Sequence, residues 1–299
     1  KSRLKNKLMN LIKHAKNIHE LRVEGTSFRM GMFSDIHWDN PKCDWNLLKH
    51  DLDYCWKNDI PIMFNGDTFC LMQGAYDFRK VKNDIRPEHN NARYFDSIVE
   101  TAVDFFLPYA NLMTVIGYGN HETAIIKRHE TDIIQRFVTL LNYKASSNVM
   151  TGGYGGWFIV NQNVRSNTNM TTKIKYFHGS GGGGLVTKGA LNLTRAMESY
   201  EGYDVFTMGH IHENSARNDV RDSISFHTTK GYYFNHKQIH SMITGTYKEE
   251  YMDGAYGWHV ERGAPMKPVG GRILTIDYAR STENGDTMIR NIDSMKFPL

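Results

Sequence analysis

The sequence predicts a single α/β domain whose second half is richer in strands. Residues 27–65 run strand, helix, strand, an order that predicts neighbouring parallel strands whose following loops share one sheet edge. From about residue 148 the predicted strands become more frequent and glycine is more common. No internal repeat or long low-complexity linker interrupts the chain, so residues 25–299 are assigned to one domain.

Residues 1–24 are expected to form a basic amphipathic helix ahead of this domain. Apolar residues recur at helical spacing, and no acidic residue precedes Glu20. The apolar positions are Leu4, Leu8, Leu11, Ile12, Ala15 and Ile18, and the basic ones are Lys1, Arg3, Lys5, Lys7, Lys13 and Lys16. Such a helix can bind nucleic acid, a membrane surface or a partner protein. Docking of its apolar stripe on the domain is the favoured interpretation.

The remaining elements follow from the spacing of apolar residues. Helical spacing predicts helices at 44–58, 91–109 and 131–143, and Asp44 is a candidate N-cap for the first. Short apolar runs bounded by turn residues predict strands at 27–33, 60–65, 111–116, 156–160, 173–177, 204–208, 240–246 and 272–278.

Composition excludes several classes of protein. No apolar run approaches the roughly 20 residues of a membrane span. The three cysteines, Cys43, Cys55 and Cys70, are odd in number and lack Cys-x-x-Cys spacing, which favours reduced thiols and a cytoplasmic location. A net charge of +4 is compatible with a phosphorylated substrate or a nucleic acid without requiring either.

Polar residues able to bind metals follow five of the predicted strands. In chain order they are Asp35 and His37, then Asp67, then Asn120 with His121 and Glu122, then His178, and finally His210 and His212. Each has an ordinary explanation alone, as a capping aspartate, a buried histidine or a turn asparagine. Imidazole, carboxylate and amide groups at five strand ends together favour a shared site.

These donors suit a dinuclear metal site. Two cations about 3.5–4 Å apart need a shared carboxylate and open positions for water and substrate. One short aspartate, such as Asp67, can bridge them. Imidazole, carboxylate and amide ligands without thiolate favour manganese, iron, zinc or nickel.

The ordered motifs D-x-H, G-D, G-N-H-[D/E], H and G-H-x-H, within residues 27–215, resemble those of the calcineurin-like metallophosphoesterase superfamily. The resemblance implies a four-layer αββα sandwich of two mixed sheets flanked by helices. It also implies two divalent metal ions, with manganese expected first and iron, zinc or nickel as alternatives. By this resemblance Asp35, His37 and His212 hold one metal, Asn120, His178 and His210 hold the other, Asp67 bridges them, and His121 is the catalytic residue beside the phosphoryl group.

The residues after the G-D motif differ from two branches of the superfamily. Phosphoprotein phosphatases continue with x-x-D-R-G, which supplies an aspartate that orients the catalytic histidine and an arginine for phosphate; residues 68–71 contain neither. Purple acid phosphatases have a ligand tyrosine where Cys70 stands, so a tyrosinate–ferric site is not expected. The group that orients His121 is left open, with Asp39 and Glu122 the nearest candidates in sequence. The short G-D-x-F turn is closer to that of the double-strand-break-repair nucleases and other phosphodiesterases. The sequence as a whole resembles phage-encoded members of the superfamily.

Two short segments are candidate substrate contacts. Gly181 and Gly182 could present backbone amides to a phosphate, close to a helix start expected near Thr187; the alternative is a flexible turn. Arg128 and His129 could reach a phosphate or a base, or lie in a solvated helix start.

Aromatic and basic residues near the C-terminal third could line a nucleic-acid groove. They lie at 230–237 and at Trp258, Arg262 and Lys267. An ordinary sheet face is the favoured interpretation.

Motifs and resemblance together predict a dinuclear metal-dependent phosphoester hydrolase. The expected reaction is in-line attack of a metal-bound hydroxide on phosphorus, with His121 assisting departure of the alkoxide. A phosphodiesterase acting on a nucleotide or nucleic acid is favoured, because the protein-phosphatase arginine is missing and the chain is mildly basic. The alternatives are a phosphomonoesterase and a non-catalytic scaffold on the same fold. The expected location is the cytoplasm, or the host cytoplasm for a phage-encoded protein.

Overall fold

The computed structural model describes residues 9–73, 80, 84–166, 168–229, 231–252, 258–261, 263–281 and 287–298. Its strands are β1 (Leu11–Ala15), β2 (Ile18–Glu24), β3 (Ser27–Phe33), β4 (Ile62–Phe64), β5 (Met113–Ile116), β6 (Met150–Thr151), β7 (Gly155–Arg165), β8 (Thr168–Phe177), β9 (Val205–Met208), β10 (Ser215–His227), β11 (Gly231–Ile243), β12 (Arg272–Ser281) and β13 (Thr287–Lys296). Its α-helices are α1 (Trp45–Lys57), α2 (Tyr94–Phe106), α3 (Asn120–His129), α4 (Ile133–Ala145), α5 (Ala190–Met197) and α6 (Trp258–Glu261).

The strands form two mixed sheets. One has seven strands in the order β1-β2-β7-β8-β9-β11-β10, and the other has six in the order β13-β12-β3-β4-β5-β6. β3, β4 and β5 are parallel neighbours, as the strand–helix–strand order predicted. β8, β9 and β11 are parallel neighbours in the other sheet. The loops that follow each parallel set therefore emerge at one edge of its sheet.

The two sheets face each other across a shared core, and helices cover their outer faces. Alternation along β3 directs Met30 and Met32 into the core between the sheets and Phe33 towards the helical layer of α1, α2 and α4. On the opposite side, α5 packs Leu193 and Met197 against the outer face of the seven-stranded sheet. The expected four-layer αββα sandwich is therefore confirmed.

The predicted N-terminal helix is wrong for the described part of residues 1–24, and residues 1–8 lie outside the described ranges. β1 and β2 form an antiparallel hairpin, and β2 also pairs in parallel with β7. Helical propensity is a weak preference that sheet pairing readily overrides. The hairpin is consequently part of the seven-stranded sheet, so the domain begins before residue 25.

The other predicted elements are largely confirmed. α1 begins after Asp44, whose side chain accepts the Leu47 backbone N–H at 2.9 Å as the expected N-cap. α2 and α4 match the other predicted helices, whereas α3, β10 and β13 were not anticipated. Within the described ranges, no helix combines the length and apolar character that crossing a membrane requires.

Candidate metal centre

The polar strand ends predicted to form a site come from both sheets and meet between them. The loops after β3 and β4 are joined by backbone bonds from Asp35 N–H to Gly66 O and from His37 N–H to Asp67 O, both 3.1 Å. The loop after β9 reaches across from the other sheet, where His210 N–H donates to Asp35 Oδ2 at 2.9 Å. Asp35 thus joins the two sheets at this edge.

Five of the seven predicted metal ligands have a left-handed backbone. Their φ values lie between +47° and +67°, and they are Asp35, His37, Asp67, His210 and His212. This region is uncommon for residues other than glycine, although Asp and His enter it more readily than most. Such conformations cluster at functional sites, where the surrounding structure holds them. Half of the ten described non-glycine residues with positive φ are thus proposed ligands, and the others include Asp59, Glu130 and Ser146.

The first donor cluster consists of Asp35, His37 and His212, all buried. His212 Nε2 lies 3.3 Å from Asp35 Oδ1 and 3.4 Å from His37 Nε2. Burial, followed by the neighbouring His121, holds the pKa of His37 well below its ordinary value. Burial alone would raise the pKa of Asp35, but His212 together with the more distant His178 outweighs it and lowers that pKa. The cluster thus favours a neutral imidazole at His37 and an ionised carboxylate at Asp35.

The second cluster consists of Asp67, His178 and His210. His178 Nε2 lies 3.1 Å from Asp67 Oδ2 and 3.3 Å from Asn120 Oδ1, while its Nδ1–H donates to the Asn65 carbonyl at 2.7 Å. That bond to the backbone fixes the ring so that Nε2 faces the cluster. Burial would lower the pKa of His178, but the Asp67 carboxylate overcomes it and raises that pKa to about 10.

These residues fit divalent metal ions. Each cluster offers three ligand atoms within 4.8 Å of one another. In the first, two imidazole nitrogens face each other, and the buried Asp35 Oδ1 accepts no hydrogen bond of good geometry although His212 Nε2 is 3.3 Å away. A cation would satisfy all three atoms, and nitrogen and oxygen donors suit first-row divalent metals. Bridging by Asp67, which the geometry places in the second cluster, stays a prediction.

His121 lies at the start of α3, beside both clusters. Its Nε2 is 3.8 Å from Asp67 Oδ2, and its ring contacts His37 edge-on at 4.9 Å between centroids. Its Nδ1–H donates to the backbone carbonyl of Cys70. The Cys70 side chain also lies in a group with His37 and His121, but burial raises the pKa of its thiol to about 12, which disfavours a thiolate ligand.

The acceptor that orients His121 is therefore a backbone carbonyl, which sequence reasoning missed. The two acidic candidates bind the backbone that carries this carbonyl and the metal ligands. Asp39 accepts the N–H groups of Cys70 at 2.5 Å and Leu71 at 2.9 Å.

Glu122 plays the corresponding part for the loop after β4. It accepts N–H groups from Asp67 at 3.2 Å, Phe69 at 3.0 Å and Gly119 at 2.8 Å. Burial, followed by the charge of Asp67, raises the pKa of Glu122 to about 8. Its bonds connect the G-D loop to the start of α3 and so place Asp67 beside Asn120.

The predicted substrate contacts separate into two groups. Gly181 and Gly182 follow His178 in an exposed loop at the rim, but α5 begins at Ala190 rather than near Thr187. Arg128 and His129 end α3 instead of starting a helix. At 1.5 Å per residue they lie about 12 Å along the axis from the first turn, and His129 packs on Phe95. The structure does not bring this pair to the clusters.

The described residues considered for a nucleic-acid groove, for which an ordinary sheet face was the favoured interpretation, do not gather at the metal centre either. Residues 231–237 belong to the far half of β11, whereas the end of β11 at Ile243 is the part that adjoins the site. Lys230, Arg262 and the side chain of Trp258 lie outside the described residues. Lys267 is the exception, since its Nζ lies beside Gly183 and 2.6 Å from Glu213 Oε1.

No protein-family model and no curated protein sequence matches the chain. Among solved structures it is similar to GAP50, described as the anchor in the inner membrane complex of Plasmodium, with 11% identity and a TM-score of 0.38 over 89% of this chain and 88% of that one. It is also similar to Vps29 of Chaetomium thermophilum, with 9% identity and a TM-score of 0.34 over 91% of this chain and 98% of that one. We draw nothing about function from similarity at this level.

Proposed function

We propose that the protein is a dinuclear metal-dependent phosphoester hydrolase of the calcineurin-like metallophosphoesterase type. The observation that supports this most directly is a pair of adjoining donor clusters, buried except for the half-buried His210, with an imidazole beside them. The clusters are Asp35 with His37 and His212, and Asp67 with His178 and His210, and the imidazole is that of His121.

In this proposal the first cluster holds one divalent cation, the second cluster with Asn120 holds the other, and Asp67 is shared. When bound, the two cations would lower the pKa of a water molecule and stabilise negative charge on phosphoryl oxygens. Manganese is preferred, with iron, zinc or nickel as alternatives, because the donors are nitrogen and oxygen atoms.

His121 is the proposed catalytic residue. Because its Nδ1–H is committed to the Cys70 carbonyl, Nε2, which lies 3.8 Å from Asp67 Oδ2, is the nitrogen proposed to act on the substrate. A protonated Nε2 beside Asp67 can stabilise charge on a phosphoryl oxygen or give its proton to the departing alkoxide. The short link from α3 to the buried Cys70 carbonyl limits rotation of the ring, so the proton donor is held in place before substrate binds.

A phosphodiester of a nucleotide or nucleic acid is the favoured substrate. A phosphomonoester carries an additional negative charge at neutral pH, which arginine or lysine side chains commonly stabilise. Lys267, which lies beside the glycine-rich loop, is already paired with Glu213 at 2.6 Å. That pairing weakens its attraction for a dianion, whereas a monoanionic diester depends less on such a contact.

Hydrolysis of bis- and mono-nitrophenyl phosphate with Mn²⁺ tests the proposal. The parent should turn over the diester faster than the monoester. Asp67→Asn and His121→Ala should each lose most of this turnover. Asp53→Asn, a change at a half-buried position of α1 bonded to Lys49 and Tyr109, should not. Absence of metal-dependent turnover on these esters and on DNA and RNA would falsify the enzyme assignment.

Titration calorimetry separates the non-catalytic alternative from simple failure of the site. Binding of two Mn²⁺ ions that Asp67→Asn weakens, without turnover of any ester, would support a metal-holding scaffold on the same fold. A monoester rate above the diester rate would instead support the phosphomonoesterase alternative.

A further inference from the structure

The hairpin of β10 and β11 extends well beyond the sheet to which it belongs. β11 pairs with β9 only through His240–Ile243. Among the described strands, residues 231–239 pair with β10 alone. At about 3.4 Å per residue, this two-stranded segment is roughly 30 Å long. An isolated two-stranded hairpin is marginally stable in water, so a segment of this length calls for a packing partner.

One face of this hairpin carries exposed apolar side chains, with Asp222 and His236 between Val220 and Ile224 and Gln238 opposite Val220. Alternate residues share a face, and the pairing places Ile224 opposite Phe234 and Phe226 opposite Tyr232. Together with Val220 these residues form what we call the ribbon face, and each is between 63% and 80% exposed. Contiguous exposed apolar patches of this kind mark interaction surfaces.

The same face is covered where the hairpin joins the body. Asn218 and His240 lie opposite each other at its base, and His240 Nε2 is bonded to Ser294 Oγ on β13 at 2.8 Å. The six-stranded sheet therefore covers the base, and the ribbon face continues the inner surface of the sandwich beyond that cover. It has the character of a core surface without an opposing layer.

The ribbon face is remote from the metal centre. β10 begins at Ser215, shortly after the proposed ligand His212, and runs away from it. At about 3.4 Å per residue, Val220 and Phe226 lie roughly 17 and 37 Å from Ser215. Contact with a reacting phosphoester is therefore not its function.

We propose that a second copy of this chain packs on the ribbon face. Asp222 and His236 lie on the same side of the hairpin as the ribbon face and 3.3 Å apart, so the carboxylate on this side has an imidazole partner within each copy. Arg221 and Lys237 belong to the opposite face, which leaves the ribbon face without the cations that phosphate groups require. Charge thus favours a second copy over a nucleic acid.

The exposed area is sufficient for such a dimer. A large side chain contributes about 150–250 Å² when exposed, so the exposed fractions of the five residues leave about 700 Å² on each copy. Stable interfaces bury roughly 800 Å² per partner. Packing of two ribbon faces around a twofold axis would reach this size with contacts from the adjoining positions.

Light scattering coupled to size-exclusion chromatography tests the proposal. Interfaces of this size have dissociation constants from about micromolar downwards, so the parent at about 50 µM should show twice the monomer mass of 34.5 kDa. Ile224→Glu should give the monomer mass. Ser225→Glu introduces the same charge at the next position, on the opposite face, and should leave the dimer intact.

A monomeric parent would overturn the proposal, as would a dimer that survives Ile224→Glu. Equal dissociation of the two variants would overturn it as well, because the effect would then not depend on the face. Thermal melts followed by circular dichroism establish that each variant is folded, and Phe234→Ser replaces Ile224→Glu if the latter is not. None of these results depends on whether the protein hydrolyses phosphoesters.

Discussion

Asp39 is expected to control which leaving groups the protein can expel, through the peptide that holds His121. Its two oxygens accept the N–H groups of Cys70 at 2.5 Å and Leu71 at 2.9 Å, and the Cys70 carbonyl accepts His121 Nδ1–H. Asp39→Ala leaves both buried amides without this acceptor. At about 1–3 kcal/mol for each unsatisfied donor, the free energy of unfolding should fall by about 2–6 kcal/mol. Asp39→Asn keeps one acceptor and should cost roughly half as much.

The assay is a series of phosphodiesters with a constant phosphoryl part and leaving groups that range from nitrophenol to simple alcohols. A nitrophenolate departs without a proton, whereas an alkoxide needs one, and a well-placed general acid contributes about 10²–10⁴-fold. Asp39→Asn should therefore lose turnover mainly on the alkyl esters. His121→Ala also removes the group that stabilises phosphoryl charge, so it should lose turnover on both classes of ester and more on the alkyl esters. KM should change little, because Asp39 binds the backbone behind the site rather than the substrate.

Asp44→Asn is the matched control. Asp44 also accepts a backbone N–H, from Leu47 at 2.9 Å, but that bond caps α1 and has no connection to His121. The change should cost about 1 kcal/mol or less and leave the leaving-group dependence unchanged. If folded Asp39→Asn slows nitrophenyl and alkyl esters by the same factor, the positioning role is refuted.

Three further outcomes are expected. Gly66→Ala would place a Cβ 2.5 Å from His178 Nδ1 at a φ of +86°, whereas Gly202→Ala has a similar φ of +79° and open space around it. In urea unfolding, Gly66→Ala should therefore lose more free energy of unfolding than Gly202→Ala, and only Gly66→Ala should weaken Mn²⁺ binding in calorimetry. Equal effects of the two changes would mean that backbone strain is the whole cost. Mn²⁺ at about 100 times its dissociation constant should stabilise the fold by about 2.7 kcal/mol for each ion bound, visible as a higher melting temperature that EDTA reverses, and no shift would contradict the metal assignment. Burial, then Lys13, lowers the pKa of His19 from 6.5 to about 4, so the unfolded chain binds more protons between these values. The contribution of neutral His19 to the free energy of unfolding should be complete above pH 6.5 and fall by up to about 3 kcal/mol as pH drops towards 4. In His19→Phe, the free energy of unfolding measured in urea should depend less on pH over this range.

The parts of the site that could be predicted from sequence are those with a local pattern. The apolar runs before Asp35 and Asp67 and the helical spacing between them imply parallel strands, and parallel strands place their following loops at one edge. The order of motifs then identifies the donor residues. The donor residues follow three strands of one sheet and two of the other, and each cluster combines residues from both sheets. This separation into two clusters became visible only in the packed sandwich.

The parts that could not be predicted depend on partners distant in sequence or on the backbone. β2 is a strand because β7, more than a hundred residues later, pairs with it, and the apolar spacing around Leu11 and Ile18 contains no trace of that pairing. The acceptor for His121 is a carbonyl that every residue possesses, so no side-chain motif could reveal it. β10 was missed because no large apolar residue precedes Val220 in the strand and Asp222 interrupts the alternation of Val220, Ile224 and Phe226 with polar residues.

The left-handed ligands show why this edge of the sandwich is costly to maintain. Each such residue costs on the order of 1 kcal/mol or more, and five together approach the roughly 5–15 kcal/mol of net stability typical of a domain. The cost is offset by backbone bonds between loops, among them Tyr247 N–H to Asp35 O at 3.0 Å and His37 N–H to Asp67 O at 3.1 Å. A chain that only needed a folded sandwich would gain stability from glycine at these positions. Asp and His in these conformations, with their donor atoms turned towards one another, form the arrangement expected of a ligand-binding site, and the donors present suit divalent metal ions.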